Sequence, residues 1–206
     1  MAHPLSGATA ISGFGMTPMG RIYGKSSTDF AVDAIRTAIA DAGLEKDDVD
    51  GLLINSGITG FTGGGINIGL QDSLGMKNLR LLNHMSGAGS TASQMVQYAA
   101  MSIVAGTVNH VVCVFADAPL RQNRSASAAY GMARGPEKRV TGLGGLTKSA
   151  GIYGANTGYA LAARRHMELY GTKHNQLGII AVGQREWASR NPAAQMRDPI
   201  TMEDYH

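Results

Sequence analysis

Leu81-Leu82-Asn83-His84-Met85-Ser86-Gly87-Ala88-Gly89-Ser90 decides the reading of this chain. A mostly apolar run, Leu79 to Met85, suits a buried strand. It gives way at Ser86 to small residues and then to helical periodicity over Gly87 to Val104. Ala88, Ala92, Met95, Val96, Ala99, Ala100, Ile103 and Val104 make its apolar face, and Gly106 ends it. Ser86 therefore falls at a strand-to-helix turn, at or just before the helix N-terminus. Backbone amides there can hold an anion or a developing oxyanion, and a nucleophile at the carboxyl end of a strand is held in this way. The plain alternative is a serine N-cap on a tightly packed helix. His84, two residues earlier, shares the strand face of Ser86, either as its partner or as a structural histidine.

The same alternation extends in both directions. Ala8 to Thr17 suits a strand ended by Pro18, and Ser27-Thr28-Asp29 reads as a capped helix start. Phe30, Ala31, Ala34, Ile35, Ala38, Ile39 and Ala42 follow at helical spacing, stopped by Gly43. Leu52-Leu53-Ile54 is a short buried strand. A Gly/Thr-rich loop over Gly57–Gly65 and a short helix over Ile66–Leu74 come next, and Val111 to Ala116 is a further strand. The order β-α-β-α-β-α-β predicts an α/β fold with a parallel sheet and right-handed crossovers.

After Asp117 the pattern changes. Residues up to Gly158 show little apolar periodicity, as functional excursions do. Arg121, Arg124, Arg134, Lys138 and Arg139 make the segment basic against Glu137, and could meet phosphate groups or simply be solvated. Gly142 to Ser149 lacks the glycine before Lys148 that a phosphate loop needs, which leaves a mobile loop near a substrate as its functional reading. Helices are expected over Ala155–Tyr170 and Asn175–Arg190, the second with Leu177, Ile180, Ala181 and Trp187 on one face. Thr201-Met202-Glu203-Asp204 looks like another helix start. The domain reading is 1–116 as an α/β domain and 117–206 as a loop and helical sub-domain.

Composition narrows the class. The 206 residues are 44% hydrophobic and only 16% charged, with 28 glycines, which excludes disorder and, lacking a Gly-X-Y period, collagen. A net charge of +3 is too mild for a nucleic-acid binder. No apolar run is long enough for a membrane span, and Met1-Ala2-His3-Pro4-Leu5 is not a secretory signal. One cysteine, Cys113, excludes an internal disulfide and fits a reducing cytoplasm; mid-strand among Val and Phe it reads as an inert core thiol. The histidines show no metal-binding spacing, so no metal is expected. Gly87-x-Gly89-x-x-Ala92 matches a dinucleotide fingerprint loosely. Without an acid about 20 positions on, nicotinamide binding is not expected.

These segments resemble the thiolase superfamily, and within it the sterol-carrier-protein or lipid-transfer type of acetyl-CoA acetyltransferase-like proteins. Ile11-Ser-Gly-Phe-Gly-Met-Thr17, Ala38-Ile-Ala-Asp-Ala-Gly-Leu44 and Asp50-Gly-Leu-Leu53 look like its first β-α-β unit. The Ser86 elbow looks like its nucleophile segment and Val111–Ala116 like the next strand. Tyr159-Ala-Leu-Ala-Ala-Arg-Arg-His-Met167 and Asn191-Pro-Ala-Ala-Gln-Met-Arg-Asp-Pro199 are its most family-specific runs. The resemblance covers this whole chain but only the N-terminal half of a thiolase-like fold. It implies a CoA thioester as substrate, no covalently bound cofactor, and Ser86 where the family has its nucleophilic cysteine, with the Ser86 N–H as an oxyanion donor. It implies acyl transfer that makes or breaks a carbon–carbon bond. The serine also admits a retro-aldol lyase acting on a steroid or aryl acyl-CoA beside an OB-fold, zinc-ribbon partner, or a non-catalytic acyl-CoA or lipid carrier. The resemblance further implies a homodimer built on the Leu79–His84 strand. It implies too that the catalytic histidine and second cysteine lie in a C-terminal half, which this chain alone would need for activity.

Overall fold

The computed structural model describes residues 4–57, 66, 68–125, 142–152 and 154–206. They fall into two compact units, 1–136 and 137–206.

The first unit is built on three strands, β1 (Gly51–Asn55), β2 (Leu81–His84) and β3 (Val111–Phe115). All pairs are parallel and the order is β2-β1-β3, so β1 is central. The burial of β1 explains its unbroken apolar run: Leu52, Leu53 and Ile54 are each fully buried. Asp50 ties the strand starts together. Its carboxylate accepts N–H bonds from Asn109 and His110 at 2.9 Å, and its carbonyl accepts the Arg80 N–H at 2.7 Å. Burial would raise the Asp50 pKa, but the bonds from His110 and Asn109 outweigh it and hold the carboxyl below its usual value.

Helices cover both faces. Helix α1 (Ser27–Asp41) buries Ser27, Ala31 and Ile35 at i, i+4 and i+8. It is capped by Ser26, one residue earlier than the sequence suggests, in a reciprocal capping box with Asp29. Ala31 and Ile35 join Leu52, Ile54 and Val114, together with Leu70 and Leu74 of α2 (Leu70–Leu74), in the main core. Helix α3 (Thr91–Val104) packs Met95 and Ala99 against Leu53, on the other face. Only the Thr91, Met95, Ala99 and Ser102 stripe of α3 is buried. Val96 and Val104, expected in its apolar face, stay nearly half exposed because three strands do not span the width of that face.

The strand expected over Ala8–Thr17 is not one. Among the described residues this segment pairs with no strand and instead lies against α1. A Cβ on Gly13 would come within 2.3 Å of the Ala38 carbonyl oxygen, and one on Gly15 within 2.0 Å of the Ala34 carbonyl oxygen. The Phe14 N–H bonds to Asp41 at 2.9 Å. Glycines that would weaken a strand here permit direct backbone-to-helix packing.

The second unit is helical: α4 (Gly142–Ser149), α5 (Gly154–Tyr170), α6 (His174–Arg190) and α7 (Met202–Tyr205). Gly142–Ser149, read from the sequence as a mobile loop, is thus a helix. Thr201 caps α7 as its sequence suggests. On α6 the buried residue is Gly178, facing Met202 and Tyr205. Ile180 and Trp187, expected on its packed face, are 58% and 72% exposed, because the single turn of α7 covers only the Gly178 side. No helix among the described residues is long and apolar enough to cross a membrane.

Candidate functional site

The carboxyl ends of the three strands bring together Asn55, Ser56 and Gly57, then His84, Met85 and Ser86, then Asp117. Open parallel sheets bind ligands at this edge. Ladder bonding continues past β2, where the Met85 N–H donates to the Ile54 carbonyl at 2.8 Å. Asn55 Nδ2 donates to the Met85 carbonyl at 2.8 Å. Two residues from β1 thus fix the backbone just before Ser86.

Ser86 itself is exposed and does not cap a helix. A 3-10 turn, Ala88–Ser90, separates it from α3, whose first turn is organised by Thr91. Thr91 Oγ1 accepts the Gly87 N–H at 2.9 Å and donates to the Ala88 carbonyl at 2.8 Å. The Gly87 amide is thereby withdrawn from any ligand, whereas the Ser86 N–H carries no partner among the described residues. Ala88 adopts φ 49°, a left-handed conformation that disfavours any residue with a Cβ. The elbow is therefore a sharp, strained turn, as functional turns often are.

His84 does not pair with Ser86. Its Nε2 lies 2.9 Å from the hydroxyl of Ser56, a side chain only 4% exposed. The sequence reading missed Ser56, although its place directly after the buried strand and before Gly57 puts it on the ligand-facing edge. Gly57, at φ 60°, leaves room for Asp117: a Cβ there would stand 2.5 Å from the Asp117 carboxylate.

The other candidates lie elsewhere. Cys113 is not a core residue. It is exposed on β3 and lines a cavity of about 480 Å³ with Ile11, Phe14, Val96 and Ile103. The apolar atoms around it desolvate the thiolate and push the thiol up to about 11, so it stays protonated near neutrality. Arg121 and Arg124 are exposed, and Arg121 bonds to the Ala118 carbonyl. Arg134, Glu137, Lys138 and Arg139 lie outside the described residues, as does most of the Gly57–Gly65 loop.

A parallel sheet with helices on both faces and a strained small-residue elbow after its edge strand defines an α/β protein with a ligand edge at its strand ends, an architecture the thiolase resemblance implies. The relatives agree. The chain is 34% identical, over 98% of its length, to a steroid side-chain-cleaving aldolase of Thermomonospora curvata. It is 31% identical, over the same share, to a 17-hydroxy-3-oxo-4-pregnene-20-carboxyl-CoA lyase of Mycobacterium tuberculosis. It is 28% identical over 94% to an acetyl-CoA acetyltransferase of Methanothermobacter thermautotrophicus. Among solved structures, an Ltp2-ChsH2(DUF35) aldolase superposes with a TM-score of 0.75 at 30% identity, covering 96% of this chain and 48% of that one. No protein-family model matches the chain. Along nearly all of its length the chain is thus similar to thiolase-like enzymes and shares their fold. It spans 50%, 51% and 48% of the lengths of these three relatives.

Proposed function

We propose that this chain supplies the Ser86 side of an enzyme that cleaves a carbon–carbon bond in a CoA thioester by retro-aldol chemistry. One observation carries the reading: Ser86, which the resemblance aligns with the thiolases' nucleophilic cysteine, has no base bonded to its hydroxyl among the described residues. The nearby histidine is engaged by Ser56 instead. A serine hydroxyl ionises far less readily than a thiol and needs a positioned base to attack. Retro-aldol cleavage needs no such nucleophile. A β-hydroxyacyl thioester loses its hydroxyl proton to a base, and the C–O bond becomes a carbonyl as the Cα–Cβ bond breaks. The electron pair moves into the thioester as an enolate, which is then protonated at Cα. What this needs at the elbow is a donor for the thioester oxygen, and the free Ser86 N–H suits that task. Two relatives at 34% and 31% identity bear aldolase and lyase names, which supports this reading over acyl transfer.

The activity in this reading requires a counterpart of the second half of the relatives, and a DUF35-type partner like that of the structural neighbour. It also takes the chain as a homodimer in the cytoplasm. The test is direct. A β-hydroxyacyl-CoA is incubated with the assembled enzyme, and products and intact protein mass are followed together. Cleavage without acylation of Ser86 is expected. An acylated Ser86, or activity only in Ser86→Cys, would restore the acyltransferase reading. CoA-ester binding by calorimetry without turnover of any thioester would leave a carrier.

A further inference from the structure

We propose that His84 is a hydrogen-bond donor to the thioester at this site and that Ser56 is the positioning residue that fixes its tautomer. The inference rests on the CoA-thioester reading above but concerns residues that reading does not use.

Strand alternation places the pair. Leu52, Ile54 and Leu82 share one core cluster on one sheet face, so Ser56 and His84, each two positions on, face the same way. The imidazole is anchored from one side only. Its Nε2 meets the Ser56 hydroxyl at 2.9 Å, while the residue is exposed and Nδ1 carries no partner among the described residues.

The buried hydroxyl decides the proton's place. Among the described residues His84 is the only partner of the Ser56 side chain. If Nε2–H donated to it, the hydroxyl's own hydrogen would be left unpaired in a buried position. An orphaned buried donor costs more than an idle lone pair. Ser56 therefore donates to Nε2, and the neutral imidazole must carry its proton on Nδ1. The result is an N–H donor at the sheet edge, two residues from the Ser86 amide. That donor can bind an oxygen on which enolate charge develops. No proton is transferred; His84 only donates a hydrogen bond.

Long-range nitrogen–proton NMR of the histidine rings of this chain within the assembled enzyme, with and without acetyl-CoA, tests this. The expected result has three parts: His84 in the Nδ1–H form, loss of that single tautomer in Ser56→Ala with its retention in Ser56→Thr, and a shift of the Nδ1 resonance on adding acetyl-CoA. Calorimetry should show acetyl-CoA binding weakened about tenfold, the net worth of one hydrogen bond, in His84→Ala. His84→Asn, which keeps a donor near the Nδ1 position, should restore it. His84 is exposed, so neither variant should unfold. An Nε2–H tautomer in the wild type overturns the inference alone, as does acetyl-CoA binding that leaves His84 unmoved. Absence of acetyl-CoA binding in every form overturns the CoA reading and this inference with it.

Discussion

Ala88 bears the strain of the elbow. At φ 49° it pays for a conformation that costs a residue with a Cβ about 1–2 kcal/mol. Valine there would add a β-branch that this region tolerates poorly. Ala88→Val should lower stability by about 1–2 kcal/mol in urea titration, and unchanged stability would show that the turn is not held in that form. Asp50 makes the opposite kind of contribution, since its carboxylate is held by amides at the start of β3. Its folded pKa is lowered, so the stability it adds is fully present above the unfolded value of about 3.9 and is lost as pH falls through the lower folded value. Asp50→Asn should cost about 2 kcal/mol at pH 7. The gap from wild type should narrow below about pH 4, a trend readable from urea midpoints across that range. Ser56 shows where residue-level reading stops. A lone serine after a strand carries no spacing signal, and its meaning comes from a partner 28 positions away on another strand.

Elements were legible where their own side chains decide them. The runs in β1 and β3 and the periodicity of α1 and α3 each carry a pattern that local physics enforces. The failures share a cause outside the element. Ala8–Thr17 has strand-like residues, but Gly13 and Gly15 allow closer packing on α1 than a ladder would give. The start of α3 is delayed because Thr91, not Ser86, satisfies the turn. Gly15 is where that tertiary override can be tested. A methyl group there would stand 2.0 Å from the Ala34 carbonyl oxygen and 2.5 Å from the Ala38 nitrogen, both backbone atoms that cannot turn aside. Gly15→Ala should destabilise the protein by about 2–3 kcal/mol. Hydrogen exchange should then show faster exchange at the Phe14 amide, which bonds to Asp41. If that amide stays protected, the segment is held by something other than its fit on α1.

For the whole molecule the sheet order matters most. β2 bonds to β1 on one side, and its other edge has no strand among the described residues. An exposed strand edge is a template for pairing. Two copies meeting there across a two-fold axis would run antiparallel and join two three-stranded sheets into one. The ladder specifies which groups are available. The Leu81 and Met85 N–H groups both point to β1, donating to the carbonyls of Asp50 and Ile54. By alternation Asn83 points the same way, and Leu82 and His84 point outward. Proline substitution therefore separates the two edges. Leu82→Pro removes an outward donor and leaves the β1 ladder intact, though it also trims the core packing of Leu82, so it should yield a less stable but folded monomer in sedimentation at micromolar concentration. Asn83→Pro removes an inward donor and should unfold the sheet, read as lost circular dichroism and early thermal melting. A wild type that sediments as a monomer, or a Leu82→Pro variant that remains a dimer, would show that this edge is not the interface. Because β2 feeds Ser86 and carries His84, loss of the dimer should also loosen the elbow. Acetyl-CoA binding by Leu82→Pro should then weaken along with assembly, whereas a monomer that binds as well as the wild type would show the site to be complete within one copy.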